Sequence, residues 1–243
     1  MQKAIPSFPR AILFDFDGTL VDSAPDLAGA ANDLRVERGL DALPYAVLRP
    51  YATYGARSLL KQALDLSPGD VTYEENRQRF LAIYDARKLQ KSHLFPGVLE
   101  LLIALERQKI TWGIVTNKHS RLAEPMIHEL LRDRAFTPAT VVCGDTTATP
   151  KPHPAPVLHA ANNLQIDPNR CWFVGDGESD VKASIAAGMT SVLAAYGYVL
   201  DLGHARAWGA AHEIDQPLAL LELLEMAGSL AAGVGAAAHA AGA

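Results

Sequence analysis

Only two cysteines occur among the 243 residues, Cys143 and Cys171, and they form no C-x-x-C pair. That scarcity excludes a disulfide scaffold and leaves both to be read as small apolar core residues beside strands. Long apolar runs are also missing. The best candidate, from Leu218 onward, is broken by Glu222, Glu225 and several glycines, and falls short of the ~20 residues that a membrane span needs. Residues 1–10 carry two prolines and no apolar stretch of signal-peptide length, so a soluble, cytoplasmic protein is expected. An excess of basic residues is lacking too. Against 22 Lys and Arg stand 27 Asp and Glu, for a net charge of −5. Such a balance predicts no nucleic-acid partner and no anionic-membrane surface. Past residue 228 the chain is almost only Ala and Gly with no pattern to bury, and residues 228–243 are expected to form a poorly ordered tail.

What is present is enough apolar material for a large core: 49% of residues are hydrophobic and 20% charged. Residues 11–14 form a short apolar run that ends in acidic residues and Gly18, the pattern of a buried strand followed by a tight turn. Residues 112–115, 140–142, 171–174 and 191–194 repeat the form. Continuous apolar runs of this kind suit strands covered on both faces. Between them lie helical patterns, such as Val98, Leu101, Leu102 and Leu105 at i, i+3, i+4, i+7. Leu27, Ala30, Ala31 and Leu34 repeat that spacing, and Ser23, Pro25 and Asp26 supply a cap, a fixed φ and a charge for the start of that helix. Strand–helix alternation predicts an α/β fold with a doubly wound parallel sheet, whose ligands sit beyond the carboxyl ends of the strands.

Residues 22–92 break the alternation. Helical patterns run near 25–38, 44–52, 56–64 and 73–89, with no convincing strand. The expected organisation is therefore an α/β core of residues 1–21 and 93–227, with a helical cap domain, residues 22–92, inserted over the site as a lid.

The polar residues fall at strand ends. Asp15-Phe16-Asp17-Gly18-Thr19 follows the first strand, Thr116-Asn117 the second, and Gly175-Asp176 with Glu178 and Asp180 the fourth. Lys151 lies between Pro150 and Pro152 after the third. In a doubly wound sheet these ends converge on one crevice. Residues two apart in a strand point the same way, so Asp15 and Asp17 are expected to face it together. Several carboxylates in one crevice repel unless a cation neutralises them, and an all-oxygen acidic set suits Mg²⁺. Lys151 is placed to screen a carboxylate nucleophile and a phosphoryl group, while Thr116 and the amides around Asn117 can donate to phosphoryl oxygens. His119 and His153 lie near the crevice in sequence, but no His-x-x-His spacing supports a transition-metal site.

Taken together, four segments resemble the signatures of the haloacid dehalogenase-like phosphohydrolases, in the family's order. They are Asp15-Phe16-Asp17-Gly18-Thr19-Leu20-Val21-Asp22-Ser23, Val115-Thr116-Asn117-Lys118, Lys151-Pro152-His153-Pro154 and Gly175-Asp176-Gly177-Glu178-Ser179-Asp180. The resemblance covers about residues 10–226, and the helical insert sits where the family places its cap. It implies Asp15 as nucleophile and Mg²⁺ ligand, and Asp17 as general acid and base with its backbone carbonyl on the metal. It further implies Asp176 as a metal ligand, Thr116 and Lys151 as phosphoryl-holding catalytic residues, and Asp180 as a water-mediated ligand or an orienter of Lys151. Gly18, Asn117 and Arg57 would contact substrate, Arg57 through a second anionic group. Dehalogenase members lack the second Asp, so Asp17 argues for phosphate chemistry.

Gly55-Ala56-Arg57, Phe95-Pro96-Gly97-Val98 and Tyr196-Gly197-Tyr198 resemble the phosphoglycolate phosphatase branch. Trp112-Gly113 and Trp208-Gly209-Ala210 are more similar to the N-acetylmuramic acid 6-phosphate phosphatases. The expected partner is a small phosphorylated metabolite, and the expected state a monomer or homodimer. A β-phosphoglucomutase-like phosphomutase shares all four signatures. A receiver-like signalling module has a comparable acidic site, but its acceptor Asp follows the acidic pair, and it has no place for the insert. An inactive binding protein is disfavoured because no expected catalytic position is substituted.

Overall fold

The computed structural model describes residues 8–132 and 137–240, with side chains through residue 229. Six parallel strands form the main sheet: β1 (Ala11–Phe14), β4 (Thr111–Val115), β5 (Val141–Val142), β6 (Cys171–Gly175), β7 (Thr190–Ala194) and β8 (His212–Ile214). Their order is β5-β4-β1-β6-β7-β8. The chain builds outward from β1 on one side and then crosses to the other, so the carboxyl ends of β1, β4 and β6 flank the switch point where such sheets open a crevice. Every residue of β1 is buried. Ile12 and Phe14 belong to one hydrophobic cluster and Ala11 and Leu13 to a second. The two-residue period of the strand therefore feeds both faces of the sheet. On the first face lie α5 (Val98–Arg107), α6 (Ser120–Leu131) and α10 (Ala219–Ala240); on the second lie α7 (Ala155–Leu164) and α8 (Glu178–Ala186). A short α9 (Leu202–Arg206) precedes β8. Cys143 and Cys171 are buried, and burial pushes both thiols up to about 11.

The helical insert comprises α1 (Ala24–Glu37), α2 (Tyr45–Leu48) continuing into a 3-10 turn over Arg49–Tyr54, α3 (Gly55–Leu64) and α4 (Tyr73–Arg87). It is joined to the sheet through a ribbon unseen in the sequence patterns: β2 (Val21–Asp22) pairs antiparallel with β3 (His93–Leu94). Two-residue strands are too short to display a period, so this ribbon at the borders of the insert is not visible in the sequence, while the insert between them is helical as expected. β8 escapes for another reason, since His212-Glu213-Ile214 is a polar edge strand. Helix α10 runs through the segment expected to be a poorly ordered tail. Alanine has the highest intrinsic helix propensity and needs no apolar face to be helical; residues 241–243 lie outside the described residues.

The start of α1 also differs from expectation. Ser23 occupies the N-cap position, but its side chain does not cap; its hydroxyl donates to the Asp17 carboxylate instead. Fully buried Asp26 does not merely complement the helix dipole. It accepts from Ser92 N–H at 2.8 Å, Ser92 Oγ at 2.7 Å and Lys91 N–H at 3.0 Å, tying the entry of the insert to its exit. Replacing Asp26 by Ala leaves those donors without their acceptor. Urea unfolding of Asp26→Ala should show a loss of about 2–3 kcal/mol; a loss below ~0.5 kcal/mol would show that the tie carries no energy.

Candidate active site

The chain leaves β1 at Phe14, and the Asp15 amide still donates to Val174 O at 2.9 Å, extending the ladder by one residue. The turn that follows needs Gly18 at φ +86°, where a Cβ would also collide with the Asp176 carboxylate. Asp15 and Asp17 both line the crevice, as the strand period predicts, but different lysines hold them. Lys151 Nζ holds Asp15 Oδ1 at 2.9 Å. Lys118 Nζ holds both oxygens of Asp17, at 2.9 and 3.0 Å.

Lys151 is 3% exposed and arrives from the turn after β5. An ammonium has three donors and no acceptor, and all three find partners: Asp15 Oδ1, Asp180 Oδ1 at 2.7 Å and Val115 O at 2.6 Å. Its backbone is held by Asn117, whose side chain donates to Lys151 O at 2.9 Å and accepts from Lys151 N–H at 3.0 Å. Asn117, expected to bind substrate, thus spends its side chain on positioning the lysine loop. Thr116 is buried at the end of β4, its Oγ1 accepting from the Lys118 amide at 3.1 Å.

Asp176, from the end of β6, is 1% exposed. It accepts from Thr19 Oγ1 at 3.2 Å, Thr53 Oγ1 at 3.2 Å and Tyr198 N–H at 3.0 Å. Asp180, in the first turn of α8, accepts from Gly177 N–H at 3.0 Å. Carboxylate oxygens of Asp15, Asp176 and Asp180 lie within 4.8 Å of one another, all buried. The sequence-expected metal set puts the carboxylates of Asp15 and Asp176 on the ion with the main-chain carbonyl of Asp17, and those two carboxylates lie together in the cluster. The Asp17 carboxylate is turned to Lys118 and Ser23, so that residue retains only the expected main-chain carbonyl, and Asp180 stands in the carboxylate cluster.

Asp15, Asp17, Asp176 and Asp180 carry four negative charges when ionised; Lys118 and Lys151 return two positive ones. Burial, then repulsion from Asp180, drive the Asp15 carboxyl well above the usual range despite Lys151. The same two causes push Asp176 up to about 7. An uncompensated double negative charge, offered by hard oxygen donors in a dry pocket, is what a small divalent cation such as Mg²⁺ matches. The residues fit that ion.

Above them opens a cavity of about 760 Å³ lined by both the core and the insert, with Tyr54, Arg57, Phe80 and Tyr84 from the insert and His119 and Lys182 from the core. Arg57 is exposed on its rim. Of the other rim cations, Arg77 pairs with Glu74, Arg121 with Asp85 and Lys182 with Glu178. His153 is exposed, its Nδ1 accepting from Ala155 N–H. The two Trp-Gly pairs lie away from this cavity. Gly113 has no room for a Cβ beside Thr140, and Trp112 is buried with Nε1 on Glu106. Gly209 supplies a positive φ of +91° in a turn. Sequence reasoning gave no role to Lys118, Tyr84, Thr53 or Tyr198. Lys118 at least lies inside the second quoted signature.

These features define a phosphatase of the haloacid dehalogenase type, and the chain belongs to the haloacid dehalogenase-like hydrolase family, whose model matches residues 12–194. It is 41% identical over 218 residues to a phosphoglycolate phosphatase of Xanthomonas campestris pv. campestris, covering 88% of this chain and 96% of that one. It is 36% identical over 219 residues to an N-acetylmuramic acid 6-phosphate phosphatase of Pseudomonas putida, covering 90% and 97%. Its fold is similar to the crystal structure of a predicted phosphoglycolate phosphatase from Haemophilus somnus 129PT, with a TM-score of 0.76 at 26% identity, over 89% of this chain and 98% of that one. No helix among the described residues is long and apolar enough to cross a membrane.

A carboxyl whose folded pKa is raised binds its proton more tightly in the native state. The contribution of Asp176 therefore favours folding below its ordinary value of 3.8 and is lost as the pH climbs toward about 7. In the presence of chelator, the protein should lose stability across that window relative to Asp176→Asn, whose amide cannot ionise. Denaturant midpoints at the two ends of the window check this; parallel curves would show that Asp176 carries no such strain.

Proposed function

We propose that the chain hydrolyses a small phosphate monoester through an aspartyl-phosphate on Asp15, with Mg²⁺ as cofactor. The observation that carries this reading is the Lys151 ammonium, which joins Asp15 to Asp180 at the floor of the cavity. A lysine so placed keeps the Asp15 carboxylate aimed and attracts the incoming phosphoryl group.

In the first step an Asp15 oxygen bonds to phosphorus as the ester P–O bond breaks, and Asp17 gives its proton to the departing alkoxide. In the second, Asp17 takes a proton from water as that water attacks phosphorus. The bond to Asp15 breaks, phosphate leaves, and both aspartates return to their starting state. Thr116 and the main-chain amide of Asn117 hold phosphoryl oxygens; Gly18, expected to contact substrate, has its amide committed to Val21 O at 2.9 Å. Asp15, Asp176 and the Asp17 carbonyl would hold Mg²⁺, with Asp180 in the same carboxylate cluster; bound there, the ion would offset the crevice charge and polarise the phosphoryl group. Residues 22–92 act as the cap, which excludes water and bulky substrates.

For the substrate we favour 2-phosphoglycolate or a close analogue, as in the relatives of highest identity given above. Arg57 has no ion-pair partner among the described residues, and we assign it to the second anionic group of the ester. A cavity of about 760 Å³ has more room than a two-carbon phosphate fills, which favours a second reading, N-acetylmuramic acid 6-phosphate. Both compounds carry a carboxylate for Arg57.

Asp15→Asn should abolish turnover with the fold intact by circular dichroism, and chelator should abolish it in the unaltered protein. Turnover above a trace in the variant would exclude covalent catalysis by Asp15. A phosphate-release screen over 2-phosphoglycolate, N-acetylmuramic acid 6-phosphate, sugar phosphates and pyrophosphate ranks substrates by kcat/KM. On the best carboxylate-bearing ester, Arg57→Ala should lower kcat/KM about tenfold, the equivalent of ~1.4 kcal/mol, while p-nitrophenyl phosphate is barely affected. Equal losses on both would remove Arg57 from substrate recognition.

A further inference from the structure

Lys118 is the second buried lysine of the crevice, and nothing in the four-signature reading uses it. Its side chain is 8% exposed and that of Asp17 16%. Its three N–H donors meet three oxygens: Asp17 Oδ1 at 2.9 Å, Asp17 Oδ2 at 3.0 Å and the Tyr84 hydroxyl at 2.8 Å. We propose that Lys118 is the positioning residue for the Asp17 carboxylate, and that Tyr84 of the helical insert fixes Lys118 in turn. This rests on the reading of Asp17 as acid and base.

The geometry separates this from a merely structural ion pair. A buried pair is weak support for stability, since apolar groups of similar volume often replace one at no loss. What this ammonium does is span both oxygens of one carboxylate, which fixes its rotation. The oxygens are then inequivalent. Oδ1 also accepts from the Ser23 hydroxyl, whereas Oδ2 has Lys118 as its one hydrogen-bond donor among the described residues. A carboxylate oxygen accepts about two hydrogen bonds, so Oδ2 is the atom with a site left to carry the proton given to the leaving-group oxygen and to take one from the attacking water.

Tyr84 is equally committed. It is 1% exposed in α4, and its hydroxyl hydrogen points to Met126 Sδ at 3.5 Å, a weak acceptor. Its oxygen is left to accept from Lys118. The next residue, Asp85, binds Arg121 of α6. Two successive residues of the insert thus seat on the start of α6, and one of them reaches the proton-transfer group through a single lysine. Asp17 is oriented when α4 is docked, so chemistry and closure of the insert are linked without an added moving part.

The test uses substituted phenyl phosphates graded from p-nitrophenyl to phenyl, under single-turnover conditions that read the first step alone. A good leaving group needs no proton and a poor one does. Lys118→Met should slow phenyl phosphate by about 100-fold and p-nitrophenyl phosphate by less than ~5-fold, within the span that general acid catalysis supplies. KM should change little. Tyr84→Phe, which loses one oxygen and keeps the ring, should show the same trend at roughly 3- to 10-fold, and it carries the test if Lys118→Met does not fold. A uniform loss across the series, or a change confined to KM, overturns the positioning role. Asp17→Asn is run in parallel. If it shows no leaving-group dependence, the acid–base reading fails and this proposal with it. Dependence in Asp17→Asn but in neither of the other variants overturns the role of Lys118 and Tyr84 alone.

Discussion

Charge imbalance in one crevice is the constraint on which the rest of the structure depends. Asp15, Asp176 and Asp180 crowd within 4.8 Å and Asp17 lies two residues from Asp15, while two ammonium groups are buried beside them. A protein of this size has only a small net stability, so repulsion of this kind persists only where the surroundings over-determine it. Lys151 spends two of its three donors on the carboxylates and the third on Val115 O, and Asp176 collects three donors of its own. Glycines do the remainder by leaving space. At Gly18, Gly175 and Gly197 a Cβ would collide with Asp176 or Asp180, so the carboxylates sit against bare backbone. The imbalance that folding tolerates is the one a divalent cation would offset.

That arrangement reaches the insert directly through Thr53, which donates to Asp176, and again through Tyr198. Tyr198 donates its N–H to Asp176, while its hydroxyl accepts from Ser23 N–H at 2.7 Å and Ala24 N–H at 2.9 Å at the root of α1. Arg49 of the insert donates to Gly197 O at 3.0 Å and lies over the Tyr198 ring. The chain therefore leaves the sheet at a point already tied to a carboxylate of the acidic cluster. Burial explains the choice of Tyr here: its body packs against Phe95 while its polar tip serves amides that would otherwise lack a partner.

Much of this was legible in the sequence because strand ends are punctuated by composition. The apolar runs before Asp15, Thr116 and Asp176 are short, bounded and alike, and a parallel sheet brings their ends together without further information. The proline-flanked Lys151 was legible for the same reason. What spacing did not show is that Asp15 and Asp17, which both line the crevice, are held by different lysines. The cap reading of Ser23 failed, and the partner of the Asn117 side chain went unseen, for another reason. Both are short polar side chains whose default partners are a ligand and a helix amide, and both found a nearer claimant, the Lys151 backbone and the Asp17 carboxylate. Such competition is decided by distances across the fold that linear spacing does not contain. Lys118, Tyr84 and Tyr198 were invisible for that reason, since each acts on a residue far away in the chain.

The two lysines divide the acids into sets with different freedoms, and this division explains why the insert stands where it does. Asp15 and Asp180, held by Lys151, are anchored by the core through Val115 O and the Asn117 side chain, whereas Asp176 also accepts from Thr53 of the insert. The partners of Asp17 include Ser23 at the root of the insert and Lys118, itself seated on Tyr84. A nucleophile gains from rigidity, because a carboxylate already aimed at phosphorus loses little entropy in attacking it. A proton-transfer group gains from being set only when water has been excluded, since otherwise solvent competes for its proton. With Asp15 as the proposed nucleophile and Asp17 as the proposed proton-transfer group, fixing one acid to the sheet and the other to the sheet–insert junction meets both requirements with two buried cations.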